Sequence, residues 1–454
     1  MQAPYDADGG AIGRLQKKVT KRNEMKTLIR NSGPLALGFT LVLILLAAQA
    51  QAQAQAQVPD TAVDVLHWWT SSSERRAADQ LATQLALVGV RWKDAAIPGG
   101  GGMAAVKVLK SRVLMGDPPD VAQLIGTTLT DWADIKLVLP LNAVAQRQRW
   151  QSALFPTVLD LVTYQGDVIA APLGIHRINT LLYNRRLFGR AGLSAPRTWA
   201  QFEVAAQKLQ RLGVRPLAWS DEPWQIATVF ESVLLGEVGP AVYQDLIVRR
   251  RASQWLSPDV ERALVRLRWL RTLAGEPPLE RVWTQNARAL MNDAAGMMIM
   301  GDWAKGELMA WGANATQDFG CIEVPGTSGM HLYSIDTLAM LVSRRQHDAV
   351  QEKMAEVVVG PAAQIAYNRI KGSVPVRRDI DPAKLDDCAR QSWETFASPV
   401  SARVPSLAHR MAADENTKDA VAQALWRFLT DPKSDTRETQ RRLATIIRTP
   451  VTER

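Results

Sequence analysis

Fifteen Trp stand against six Tyr and eight Phe, and several of the indoles sit beside polar or charged residues: Trp68-Trp69-Thr70, Glu222-Pro223-Trp224-Gln225 and Gly301-Asp302-Trp303-Ala304-Lys305. An indole offers a flat apolar face with one donor at its edge. That face suits the apolar C–H side of a sugar ring, whose rim of hydroxyls both donates and accepts. A pocket for such a guest needs aromatic plates ringed by carboxylates, amides and lysine. Neighbouring strand residues face opposite ways, so one of Trp68 and Trp69 is expected to point into a core. Taken singly, each Trp is equally readable as a packing wedge.

Other chemistries lack their residues. No Gly-x-Ser-x-Gly nucleophile motif is present, and Thr327-Ser328-Gly329 is a loop signal only. The glycine run Gly99 to Gly102 lacks the Lys-Ser/Thr of a phosphate cradle and is expected to permit a tight turn into the next helix. The five histidines, His67, His176, His331, His347 and His409, are scattered, and two cysteines without His partners at suitable spacing cannot build a structural zinc site. Neither a metal nor a cofactor is expected.

With 454 residues, 47% hydrophobic and 22% charged, the chain has material for two or three globular domains. The formal charge is +9, but residues 1–57 hold seven Lys/Arg against three Asp/Glu, leaving 47 against 42 elsewhere. So mild an excess, with no helix-turn-helix, zinc or RNA motif, argues against nucleic-acid binding. From Met25 the chain reads as a secretory signal: Lys26 and Arg30, an apolar run from Leu35 to Ala48, and the small-x-small site Ala48-Gln49-Ala50. That run is shorter than a bilayer span, and overlapping Ala-Gln repeats place cleavage near residues 50–57. Residues 1–24 read as an upstream extension from a misassigned start. No later stretch is expected to cross a membrane. In an oxidising compartment Cys321 and Cys388 suggest one disulfide closing a long loop, two separate buried thiols being the alternative.

The elements that must carry these residues alternate. A strand over Val63–Trp69 leads to a helix opened by Ser71 to Ser73 with Glu74, then a strand over Val90–Ala96, a helix over Ala104–Met115 and a strand through Pro118–Leu124. Helices follow over Trp199–Leu212, Trp224–Gly236, Pro258–Ala274 and Ala420–Leu429. Short strands lie at Val168–Pro172, Thr180–Tyr183, Gly296–Met300 and Thr337–Val342. This alternation predicts an α/β fold with a mostly parallel sheet. No long linker or repeat divides the chain, which favours domains joined by several crossings.

In order along the chain, His67-Trp68-Trp69-Thr70-Ser71, Glu74 to Ala78, Pro98 to Gly102, Pro118-Pro119, His176-Arg177 with Asn179, Gly296 to Lys305, Lys371 to Arg377 and Pro405 to His409 resemble the periplasmic sugar-binding proteins of ABC importers, of glucose/mannose type. The resemblance covers nearly the whole chain after the signal. It implies a two-lobed periplasmic-binding-protein fold, each lobe a mostly parallel sheet flanked by helices, with a hinge between them that closes on one sugar. It divides the chain into 58–175 plus 327–360 for the first lobe and 176–326 plus 361–454 for the second.

By position, the resemblance makes Trp68, Trp69 and Trp303 aromatic plates and Glu74 a hydroxyl acceptor. Asp336 becomes a carboxylate for two neighbouring hydroxyls, and Lys371 and His409 become donors. Relatives carry Lys or Gln where this chain has Ile125, and Asn where it has Ser334. The loss of two hydroxyl partners points away from glucose itself, toward a modified or larger saccharide. The implied protein is a monomeric periplasmic receptor, with no catalytic residue, that passes its sugar to an inner-membrane permease. A secreted carbohydrate-active enzyme using Glu74 and Asp336, and a sugar-sensing subunit for a membrane receptor, are the competing readings.

Overall fold

Val63 and Val65 stiffen the first strand, β1 (Ala62–His67), whose six residues are all buried. A strand covered on both faces and paired on both edges reads as a continuous apolar run. In the computed structural model, which describes residues 61–99, 102–275, 282–343, 345 and 347–448, β1 is followed by helix α1 (Ser72–Ala86). β2 (Arg91–Ala96) and β3 (Val121–Leu124) come next. A short hairpin of β4 (Thr163–Tyr164) and β5 (Asp167–Val168) precedes β6 (Ala171–Arg177) and β7 (Thr180–Asn184). β8 (Arg215–Ala218), helix α2 (Pro223–Ile247), β9 (Ala295–Met300) and helix α3 (Trp303–Ala310) follow. The chain continues through β10 (Phe319–Glu323), β11 (Met330–Met340), helices α4 (Pro361–Lys371) and α5 (Asp387–Ala397), and β12 (Ala402–Pro405). The expected signal segment, its cleavage region, and Gly100 and Gly101 lie outside the described residues.

Two sheets organise two lobes. The first runs β12-β11-β3-β1-β2 with β6 on the other side of β11, and the second runs β10-β7-β9-β8. Each has its own core: Val63, Val65, Leu81, Val121 and Ile335 in the first, Leu181, Phe202, Leu217, Phe230 and Met297 in the second. The sheets are more mixed than the alternation predicts. β1 is parallel to β2 and β3, but β11 is antiparallel to both β3 and β6, and β7 is antiparallel to β9 and β10. The reason is topological. The chain leaves the first lobe on β6 and returns on β11, and it enters the second on β7 and leaves on β10, so each outward strand runs opposite to its return.

Only Ile178 and Asn179 link β6 to β7. Ile178 N–H donates to Leu332 O at 2.8 Å, and the Asn179 amide donates to Thr327 Oγ1 at 2.9 Å and accepts from Leu332 N at 3.0 Å. Outward and return crossings are thereby laced together. Residues of 361–397, expected with the second lobe, pack on the first core instead: Ala363, Tyr367, Val374, Val376 and Phe396 all join it. The helices of this segment were not read from the sequence, and local pattern does not say which core receives them.

The helix over Trp224–Gly236 is longer than expected. α2 has 25 residues, broken by Gly239 at φ 75° and Pro240. By length and composition it could cross a membrane, contrary to the expectation that no later stretch could. Most of it is buried, with Ile226, Phe230, Val233 and Leu234 in the second core. Cys321 on β10 and Cys388 on α5 form a disulfide, Cα to Cα 5.9 Å.

Candidate functional site

The carboxyl ends of β1 and β3 open onto a cavity of about 410 Å³, where open α/β sheets ordinarily bind ligands. Trp68, Trp69, Glu74, Ile125, Trp303, Ser334, Asp336, Lys371 and His409 all line it. The structure thus brings together every candidate residue, from segments more than 300 positions apart. Pro98 and Gly99 line it as well.

β1 delivers both Trp at its end. Trp68 is half-buried; its backbone N–H donates to Gln123 Oε1 at 3.2 Å, and the Arg410 guanidinium stands 5.5 Å from its ring centre. Gly102, at φ 79°, opens the next helix, and a Cβ there would come within 2.7 Å of the Trp68 ring. Gly102 therefore serves both turn and indole. Trp69 is the inward one: it is fully buried in the first core, 5.0 Å from His67 and 5.7 Å from Tyr367 between ring centres. It is wall, not an exposed plate.

Glu74 sits one turn into α1. Its Oε2 accepts from Thr70 N and Ser71 N, both at 3.1 Å, which satisfies donors that a helix start leaves orphaned. Its Oε1 is 3.3 Å from Lys371 Nζ. Expected as separate acceptor and donor, the two are an ion pair on the cavity wall. Glu307 of α3, itself buried, accepts from Ser72 N at 3.1 Å and Ser73 N at 2.9 Å. One helix's carboxylate thus caps the other, and Trp303 is held in register with Glu74.

Trp303 follows directly on β9 and Gly301. Its ring folds back so tightly that a Cβ on Gly301 would stand 2.1 Å away. Asp336 lies at an irregularity in the β11–β6 pairing, where the register shifts between Asp336 and Thr337. Such bulges re-aim side chains. Burial alone would raise its carboxyl, but His176, Lys371 and Gln123 together hold it below the usual carboxylate range, so it is an acceptor.

His409 is held down to about 3 by burial first, then by the positive charges of His176, Lys418 and Arg410, and is neutral. The Thr228 hydroxyl donates to Trp224 O at 2.9 Å, so its oxygen must accept from His409 Nε2 at 3.1 Å. The N–H of His409, expected for the ligand, is thereby engaged, and its Nδ1 remains as a lone-pair acceptor.

The wall also holds His176, Glu222, Trp224 and Trp283; Glu222 and Trp224 stood out in the sequence as an indole beside a charge, but none of the four was given a ligand role there. Trp224 and Trp283 share a signal with Trp303, an indole in the first turn of a helix. Glu222 precedes α2 and accepts from Gln225 Nε2 at 2.9 Å as well as from the Trp224 indole. His176 falls in the resembling stretch His176-Arg177, but nothing local gave it a role, since its partners Asp302 and Asp336 lie 126 and 160 positions away.

Two α/β lobes joined by laced crossings, with one aromatic and carboxylate-lined cavity drawing on both cores, define a two-lobed solute receptor. The chain belongs to the bacterial extracellular solute-binding proteins, whose family model matches residues 69–365. A probable sugar-binding periplasmic protein of Brucella melitensis is 32% identical over 367 residues, 80% of this chain and 87% of its own. Another of Rhizobium meliloti is 31% identical over 367 residues, 80% and 88%. Among solved structures, the bacterial solute receptor AcbH, described as exclusive for β-D-galactopyranose, matches with a TM-score of 0.73 at 19% identity, covering 85% of this chain and 99% of its own. That likeness concerns the fold alone. These relatives are solute-binding proteins and not enzymes, which removes the reading of Glu74 and Asp336 as a catalytic pair.

Proposed function

We propose that the protein is a periplasmic receptor that holds a saccharide in this cavity and hands it to the permease of an ABC importer, without making or breaking a bond. One observation carries the reading: Trp68 and Trp303, from opposite cores, converge on the same cavity as the ionised Asp336 and the Glu74–Lys371 pair. Apolar plates and an ionic rim together suit a polyol, with C–H faces for the indoles and hydroxyls for the rim. The curated relatives named for sugar binding in the periplasm and the secretory pattern from Met25 agree with it.

The resemblance points to a sugar of glucose or mannose type, and Ile125 and Ser334, both on the wall, favour a modified or larger relative over glucose itself, since they supply less hydrogen bonding than the Lys or Gln and the Asn of similar proteins. The lobes follow the packing, with 361–397 carried by the first. We take the working unit to be the monomer. The test is titration calorimetry of the chain from residue 58 against D-glucose, D-mannose, D-galactose, D-xylose and maltose. A roughly micromolar dissociation constant, about −8 kcal/mol, is expected for at least one. No saturable heat with any of the five, nor with a wider oligosaccharide set, rejects the proposal.

A further inference from the structure

His176, the penultimate residue of β6, is buried between two carboxylates, one from the turn after β9 and one from β11. Its Nδ1 lies 2.6 Å from Asp302 Oδ1 and its Nε2 3.3 Å from Asp336 Oδ2. An ionised carboxylate only accepts, so a ring bonded to both must carry a proton on each nitrogen. Asp302 is itself fixed: its Oδ2 accepts from Arg177 N at 2.9 Å, and its own N–H donates to Arg177 O at 3.0 Å. The ring also meets the edge of Trp303, 5.4 Å between centres at 77°. One side chain therefore touches the second-lobe plate and the first-lobe carboxylate of the same cavity.

We propose that His176 is the positioning residue of the ligand site: as an imidazolium anchored on Asp302, it aims the Asp336 carboxylate into the cavity and keeps it an acceptor for ligand hydroxyls. This role rests on the saccharide reading above. The charged and titratable groups around the ring are Asp302 from the turn after β9, Asp336 from β11, Lys371 from the end of α4, and His409 from the segment after β12. Lys371 is paired with Glu74, and Tyr367, beside Asp336, is pushed well above its ordinary value by burial and by that carboxylate. Burial lowers His176, Asp302 raises it, Lys371 lowers it again, and the hydrogen bonds to Asp302 and Asp336 leave it above 6.5. A ring with a raised value keeps its charge below 6.5 and loses it as pH climbs through the raised value. Once neutral, it donates to one carboxylate only.

The direct measurement is long-range 1H–15N correlation of histidine-labelled wild-type protein without ligand. Both ring nitrogens of His176 should be protonated at pH 6, and Asp302→Asn should move the loss of the second proton to lower pH. With D-glucose and D-galactose as probes, wild-type affinity should fall as pH rises past the ring's deprotonation. His176→Gln should weaken binding about ten- to a hundredfold and flatten that profile. A neutral His176 at pH 6, or a His176→Gln protein with wild-type affinity and an unchanged profile, overturns the proposal. Should neither wild type nor variant bind any saccharide, the receptor reading fails separately, because the ring's protonation is read without ligand. If His176→Gln does not fold, the wild-type spectrum and its pH titration still decide.

Discussion

Trp303 does three things from one position. It lines the cavity, its edge meets His176, and its ring stands 5.1 Å from that of His409. Its replacement by Ala removes an aromatic plate without stripping any buried carboxylate of a partner. Trp303→Ala is expected to abolish saturable sugar binding in calorimetry while leaving the circular dichroism spectrum and unfolding cooperativity of the wild type. Unchanged affinity would move the ligand away from this wall. Residue types in the sequence drew attention to the indoles, and the resemblance supplied the rim of Glu74, Asp336, Lys371 and His409. They could not assign each residue its task. Trp69 became core and Glu74 a helix cap, while the N–H of His409 went to Thr228, since those outcomes depend on neighbours distant in sequence.

The segment that carries His409 hangs from one buried acid. Glu231, on α2, accepts from Ser406 Oγ at 2.6 Å, Leu407 N at 2.8 Å, Ala408 N at 3.3 Å and Tyr243 OH at 3.2 Å. Replacing it by Ala leaves the Ser406 hydroxyl and the Leu407 and Ala408 N–H groups buried without that acceptor, while Tyr243 OH keeps Pro405 O at 3.3 Å; each lost partner costs about 1–3 kcal/mol. Glu231→Ala should lose at least ~3 kcal/mol in urea unfolding and bind sugar more weakly, as the His409 segment loosens. Burial pushes this carboxyl up to about 7, against the pull of its donors. A raised acid binds its proton more tightly when folded, so its contribution is full below about 4.5 and declines as pH rises toward 7. Glu231→Gln should therefore show a flatter stability profile over that window, and a profile identical to wild type would contradict the raised value. At this scale the sequence was most legible. The helices from Trp199 and Pro258 and the strands from Thr180 and Gly296 start where expected, give or take a residue. β10 and β12 were not seen, being short strands whose pairing partners lie far along the chain.

The two lobes share more than their crossings. The disulfide joins β10 of the second sheet to α5, which packs Ala389 and Phe396 on the first core, and Gln391 of α5 reaches Glu323 of β10 at 3.4 Å. The bridge closes a separation of 67 residues, for which chain entropy predicts ~4 kcal/mol. A Cys321→Ser, Cys388→Ser double variant should be less stable by about that amount in thermal or urea unfolding, matching wild type under reductant. A variant as stable as the oxidised protein would show that the link constrains little. Glu307, reaching from α3 to the start of α1, adds a second tie beside the cavity.

Local pattern was enough for the sequence to determine the α/β class, the longer helices and several of the strands, while the rim residues came from the resemblance and one disulfide was the favoured of two readings. The elements follow from period, caps and residue chemistry, which act within a few positions. Which core receives the segment 361–397, which of two adjacent indoles faces the cavity, and that His176 lies between Asp302 and Asp336 were decided only by tertiary structure. Burial, desolvation and hydrogen-bond partnership at these places are set by groups more than a hundred residues away, and nothing local encodes them.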